Sequence, residues 1–279
     1  MIPADVVPEL ILLDLDGTLL GLDRRVSARN SAALRAADAL GARVVIATGR
    51  PLRLLDSIRG CVPAAIAICC NGPLVIDLVT DAVLQAHPLD GAVLHSAVLG
   101  ARAAGADFWV GVEGLPDMGG IILEPQAAFR TGADVARAPL AELCRKDRII
   151  VKSLVRTSSA EDAAVVRAYL AENYGDEFTV THSDDDLLIE VSGPGVTKGR
   201  TVAGLAREWG IAPERSIAFG DGPNDLEMMA WAGHSVAMGN ADPEVKRRAS
   251  EVAGHHDEHA VAQVLERWFP PTGTATEEP

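Results

Sequence analysis

Apolar and polar positions along this chain follow two periods. Short apolar runs at residues 10–13, 43–47, 216–219 and 235–238 each end at a loop of small or polar residues. Runs of this length, bounded by turn residues, predict buried strands. Between them the apolar spacing is helical. Val202, Leu205, Ala206 and Trp209 fall at i, i+3, i+4 and i+7, and Gly210 closes that stretch. Ser27 offers an N-cap for a helix over 28–40, with Gly41 at its C′ position, and Pro51 stands where the first residue of another helix would. Strands alternating with helices at both ends predict an α/β fold, a doubly wound parallel sheet with helices on both faces.

The middle of the chain has another rhythm. Residues 107–112, 119–123, 148–155, 178–181 and 187–191 read as strands, and 91–104 and 160–173 as helices. This predicts an α+β module, 83–188, inserted into a core made of 1–82 and 189–270. Residues 271–279, in the stretch PPTGTATEEP, are expected to be a frayed tail.

Composition narrows the function classes. A chain of 279 residues fits two domains, and 48% hydrophobic against 23% charged residues excludes a disordered chain. Aromatics at 4% leave the core to Val, Leu, Ile and Ala. A net charge of -14 argues against a nucleic-acid backbone binder and against docking on anionic lipid. Cys61, Cys69, Cys70 and Cys144 form no CxxC pair, so a reducing cytoplasm is expected. Residues 1–5 lack a basic region ahead of an apolar run, and no apolar stretch reaches about 18 residues, so neither a signal peptide nor a membrane span is expected.

Four polar clusters carry candidate chemistry. Asp14-Leu15-Asp16-Gly17-Thr18 follows the first apolar run directly. Alternation along an extended chain would turn Asp14 and Asp16 to one side, where two close carboxylates call for a cation or a proton between them. A solvated loop would leave the pair without a role. Thr48-Gly49-Arg50 closes the second run, and its hydroxyl and backbone N–H could hold a phosphate oxygen or cap a helix. Lys198 precedes the 202–209 helix. Gly220-Asp221-Gly222-Pro223-Asn224-Asp225 combines two carboxylates and an amide in a strand-end loop, which suits a hard cation or a plain turn. In an open α/β sheet such clusters converge at the carboxyl ends of the strands.

DLDGTLL, ATGR, Lys198-Gly199 and GDGPND, in that order, resemble the haloacid-dehalogenase-like hydrolase superfamily, with its Rossmann-type core. The long insertion after ATGR, the Cys70-Asn71-Gly72-Pro73 step and the run VAMGNA at 236–241 resemble its Cof-like phosphatases, which carry a large α/β cap (C2B type). The resemblance implies a phosphoryl-transfer site. Asp14 would be the nucleophile that becomes an aspartyl-phosphate, and Asp16 the residue that gives and takes protons. Thr48, Gly49, Lys198 and Asn224 would hold the phosphoryl group. Mg²⁺ would be bound by Asp14, the Asp16 carbonyl and Asp221, with Asn224 and Asp225 completing its shell. Arg50 would orient its loop or pair with an acid. The implied activity is hydrolysis of a small phosphorylated metabolite by a cytoplasmic monomer or homodimer with no nucleic-acid or membrane partner. A phosphomutase, or a metabolite-binding regulator with weak hydrolysis, would use the same residues.

His255-His256-Asp257-Glu258-His259 departs from the family outline. His255 and His259, at i and i+4, could share a metal on a helix or simply cap the last helix. Trp109, Asp117, Met118 and His182 could meet a substrate or belong to core and loops.

Overall fold

The computed structural model describes residues 7–115, 120–128, 135–182 and 186–270. Fourteen strands are numbered in chain order. β1 (Leu10–Leu13), β2 (Arg43–Ala47), β3 (Ile66–Cys69), β4 (Leu74–Asp77), β5 (Val83–Ala86), β12 (Ser216–Gly220), β13 (His234–Ala237) and β14 (Glu251–Val252) form one sheet. β6 (Phe108–Gly114), β7 (Ile121–Leu123), β8 (Ala136–Arg137), β9 (Ile150–Thr157), β10 (Thr179–His182) and β11 (Leu188–Ser192) form the other. The chain divides into two compact units, one of Met1–Arg50, Leu54–Leu84 and Lys198–Pro279, the other of Pro51–Arg53 and Gln85–Thr197.

The first unit holds the eight-stranded sheet in the order β14-β13-β12-β1-β2-β3-β4-β5. β1 is buried along its whole length and pairs in parallel with β2 and β12, and parallel pairing continues to β3 on one side and β14 on the other. β4 turns back, antiparallel to β3, through the step at Cys70–Gly72. The connections leave β1 in one direction for β2 and return on its other side at β12. The strand order therefore reverses between β1 and β12, where side chains beyond the strand ends can gather.

Helix α1 (Ala28–Ala39) opens with the Ser27 hydroxyl accepting from the Asn30 N–H at 3.1 Å. It packs on α8 (Ala260–Leu265) and on β2. α5 (Lys198–Trp209) and α6 (Leu226–Trp231) pack on each other, α5 reaching β3 and α6 reaching β12 and β13. Val202, Leu205 and Ala206 form the buried side of α5, as their spacing predicts. Pro51 leads only into a single 3-10 turn, Leu52–Leu54, rather than a helix.

In the second unit the order is β10-β11-β9-β6-β7-β8, antiparallel except for β7 with β8. α2 (Gly91–Ala103), α3 (Leu140–Leu143) and α4 (Ala160–Tyr174) cover a core that includes Val98, Phe108, Val110, Val155, Val166 and Val191. A smaller cluster of Ile121, Leu123, Ala127 and Leu154 takes Trp109 against it, which gives that tryptophan a packing role. This unit ends at Thr197 rather than 188, because β11 pairs with β9 and β10. Asp117, Met118 and the 271–279 segment lie outside the described residues, as does the side chain of His182.

Candidate active site

All four polar clusters belong to the first unit, and three of them continue strands of its sheet. Asp14 follows β1, Thr48 follows β2 and Asp221 follows β12. Lys198 is the first residue of α5 and Asp225 ends a 3-10 turn at Pro223–Asp225. Lys198 is wholly buried. Its Nζ donates to Asp14 Oδ1 at 2.6 Å and to Asp225 Oδ1 at 2.7 Å. The other Asp225 oxygen accepts the backbone N–H groups of Asp221 and Gly222, each at 3.1 Å. Asp221 accepts from the Thr18 hydroxyl at 2.8 Å. Oxygens of Asp14, Asp221 and Asp225 lie within 4.8 Å of one another, the one grouping among the described residues with the donors for a metal ion.

The charges do not cancel. Burial pushes the Asp14 carboxyl well above its usual range; Lys198 opposes this, while Asp225 and Asp221 add to the rise. Burial works against the Lys198 ammonium, yet Asp14 and Asp225 hold its pKa above that of an ordinary lysine. Three carboxylates around one ammonium leave negative charge that a divalent cation would neutralise. An all-oxygen donor set of this kind fits Mg²⁺ or another hard ion.

Two glycines make the approach close enough. Gly17 has φ 78°, and a Cβ there would stand 2.2 Å from Asp221 Oδ2. A Cβ on Gly220 would stand 2.6 Å from that of Asp225. The carbonyl of Gly17 is fastened by the Asn240 amide at 2.8 Å, and Asn240 Oδ1 accepts the His256 N–H at 3.1 Å. His256 is buried, and its Nδ1 donates to the Leu20 carbonyl at 2.5 Å. His256 thus secures the loop after β1. His255 and His259 share no helix, since the short turn His256–Glu258 separates them and His259 has φ 59°. His259 stands at the N-cap of α8 without a side-chain capping bond.

Asp16 keeps extended backbone angles, φ -78° and ψ 119°, although it lies inside a turn. Residues Leu15–Leu19 form a tight helical turn interrupted at Asp16 and Gly17. The Asp16 carboxylate takes a two-pronged ion pair from Arg50, Nε to Oδ2 at 2.6 Å and Nη2 to Oδ1. Its side chain is 52% exposed. Asp14 and Asp16 therefore have separate partners, Lys198 for the first and Arg50 for the second.

The loop after β2 brings Thr48, Gly49 and Arg50 to the same end of the sheet. Thr48 is buried and its hydroxyl accepts the Arg50 N–H at 3.1 Å, which leaves its own proton to donate. The Asn224 amide donates to Asn71 Oδ1 at 3.0 Å, and Asn71 donates its backbone N–H to the Thr48 carbonyl at 2.9 Å. Asn71, with φ 68°, belongs to the Cys70-Asn71-Gly72-Pro73 step, to which the sequence assigned no role at the site. An Asn ahead of Gly suits a left-handed position, which signals the turn and not its place at the site.

The model of the haloacid dehalogenase-like hydrolase family matches residues 11–265. The 5-amino-6-(5-phospho-D-ribitylamino)uracil phosphatase YitU of Bacillus subtilis is 29% identical over 279 residues, spanning 94% of this chain and 98% of its own. The pyridoxal phosphate phosphatase YbhA of Escherichia coli is 27% identical over 280 residues, spanning 92% and 97%. A solved haloacid dehalogenase-like hydrolase from Bacteroides thetaiotaomicron matches with TM-score 0.74 and 26% identity, covering 94% of this chain and all of the other. With that match running from β1 to α8 through every cluster described above, the chain belongs to the haloacid dehalogenase-like hydrolase family and is an enzyme of its phosphatase kind.

Proposed function

We propose that this enzyme hydrolyses a small phosphate monoester, a sugar phosphate or related metabolite, in an Mg²⁺-dependent reaction through an aspartyl-phosphate on Asp14. The observation that carries this is the buried Lys198 bonded to both Asp14 and Asp225, with Asp221 close by. Phosphoryl transfer needs an oriented nucleophile and cancellation of charge on the equatorial oxygens, and these residues supply both. Bound by Asp14, Asp221 and Asp225, with the Asp16 carbonyl and Asn224 beside them, Mg²⁺ would neutralise phosphoryl charge and keep Asp14 ionised.

A carboxylate oxygen of Asp14 attacks phosphorus as the bond to the leaving oxygen breaks. The Asp16 carboxyl gives that oxygen its proton. Asp16 then takes a proton from water, whose oxygen attacks phosphorus, and inorganic phosphate leaves with Asp14 restored. Lys198, the Thr48 hydroxyl and the Gly49 loop hold the phosphoryl oxygens throughout. The second unit, with its inserted segment Gln85–Thr197, would act as a C2B-type cap that selects small substrates. The named activities of the YitU and YbhA relatives support a phosphorylated metabolite as substrate. No helix among the described residues is long and apolar enough to cross a membrane.

The test is a panel of phosphorylated metabolites assayed for phosphate release, first in EDTA and then with Mg²⁺ or Ca²⁺. Activity should vanish in EDTA, return with Mg²⁺ and return poorly with Ca²⁺, which accepts looser geometry and more ligands. Phosphate should appear one for one with substrate lost. An isomeric sugar phosphate would mark a mutase, binding without product a regulator, and full turnover without metal would sink the proposal.

A further inference from the structure

We propose that Arg50 is the positioning residue that holds the Asp16 carboxyl for proton transfer; this rests on the proton-handling role given above to Asp16. Arg50 is built into its loop from both ends. Its N–H donates to Thr48 Oγ1 at 3.1 Å and its carbonyl accepts the Cys70 N–H at 3.0 Å. Its guanidinium spends Nη1 on the Leu54 carbonyl at 3.3 Å and gives Nε and Nη2 to the two Asp16 oxygens. Its side chain is 16% exposed against 52% for Asp16. Arg50 is thus the stationary half of the pair, and Asp16, on a turn next to a positive-φ glycine, is the half that needs holding.

A planar fork fixes both the place and the plane of a carboxylate, which an ammonium cannot do. Without it, a half-exposed aspartate would sample its rotamers in water. Misplacing a reacting group by about 1 Å can cost about 10²-fold in rate. The loop after β2 would then serve two purposes, with Thr48 facing the phosphoryl group and Arg50 aligning the acid.

The test is a double-mutant cycle of Asp16→Ala and Arg50→Ala on two substrates, p-nitrophenyl phosphate and the sugar phosphate that the wild type turns over fastest. Nitrophenolate leaves without a proton, whereas a sugar alkoxide needs one. Arg50→Ala should lower kcat on the sugar phosphate about 10²-fold with KM within about twofold. With p-nitrophenyl phosphate it should leave a fast first release of nitrophenol followed by slow turnover. Added to Asp16→Ala it should cost nothing more. Methylguanidine should restore part of the lost rate, and Arg50→Lys should restore less than half. Multiplying losses in the cycle would overturn the proposal, as would equal loss of the nitrophenol burst, or a raised KM with unchanged kcat, the mark of an arginine on the substrate. Should Arg50→Ala fail to fold, Arg50→Lys decides alone: wild-type kcat in a folded Arg50→Lys protein overturns the proposal. If Asp16→Ala by itself spares the sugar phosphate, the role of Asp16 is what has failed, and that is seen without any Arg50 variant.

Discussion

Each unit of this protein buries a lysine against carboxylates, and the two sites differ in how their charges balance. In the second unit Lys152, on β9, meets Glu190, on β11, at 2.5 Å, and Glu113, on β6, meets Arg53 at 2.9 Å. Each of those carboxylates has its own cation. In the first unit Lys198 is shared by Asp14 and Asp225, with Asp221 as a third acid in the cluster. A balanced pair spanning two strands ties a sheet together. An unbalanced cluster at the reversal point of a parallel sheet is instead prepared for positive charge that arrives from outside. The contrast is one of charge balance, and it is what the proposed site would need if it is to take up a cation.

The largest effect that would test this contrast is at Asp14. Asp14→Asn should lower turnover by roughly 10⁴-fold or more, the scale seen when a nucleophile is removed, while in EDTA the variant should unfold no more easily than the wild type. Steady-state kinetics and urea titration measure the two. Activity within tenfold of wild type would break the comparison, because the unbalanced cluster would then have no reactive member.

Next in size is the balanced pair. Lys152→Met should destabilise by about 3–5 kcal/mol, since it removes the cation 2.5 Å from the buried Glu190 carboxylate. Replacing both, as Lys152→Met with Glu190→Leu, should recover most of that loss. A single variant within about 1 kcal/mol of wild type would show that water or another group takes over the carboxylate, and the pair would not be structural.

In both units most helices and strands could be read from sequence, and the misses have physical reasons. The α5 stripe and the strand runs at 10–13, 43–47 and 216–219 stand out because one face or both are buried, so the burial pattern is printed on the residues. The Asp14, Thr48 and Asp221 clusters stood out because each follows an apolar run directly, whereas Lys198 alone carried no signal and gained one only from its place in the series of motifs. The specific partner of Asp16 was hidden, because Arg50 stands 34 positions away. Asn71 and His256 were hidden in the same way, their partners Asn224 and Leu20 being remote in the chain. Strands β3, β4 and β5 are short pieces around a turn, where apolar residues alone do not separate strand from loop.

Metal binding offers a smaller and more discriminating test. Mg²⁺ at about 100 times its dissociation constant should add about 2.7 kcal/mol to the stability of the wild type. It should add much less to Asp14→Asn, which lacks one of the proposed ligands, and as much to Lys152→Met as to the wild type. Thermal unfolding with and without Mg²⁺ reads all three. Equal gains in wild type and Asp14→Asn would place the ion elsewhere.

The smallest expected effect is a slope against pH, and its sign follows from burial. With no cation present, Asp14 in the folded protein holds its proton well above pH 3.8, because burial disfavours its charge, Asp225 and Asp221 add to that, and Lys198 only partly compensates. The folded state therefore binds this proton more tightly than the unfolded chain does. Stability from this group is complete below about the ordinary carboxylate pKa and is lost as pH rises through the raised folded value. Asparagine has no such proton. In EDTA the wild type should thus lose stability relative to Asp14→Asn as pH climbs from about 4, no faster than about 1.4 kcal/mol per pH unit, the limit for one proton. Mg²⁺ should flatten that difference, since the ion takes the place of the proton. Lys198 works in the opposite range: its raised pKa keeps its contribution intact through neutral pH and lets it fade only in alkali, above the usual lysine value. Urea unfolding of both proteins across pH, with EDTA and with Mg²⁺, measures the effect. A wild type that gains on Asp14→Asn with rising pH in EDTA would mean that Lys198 already neutralises the cluster, and the distinction between the two buried lysines would fall.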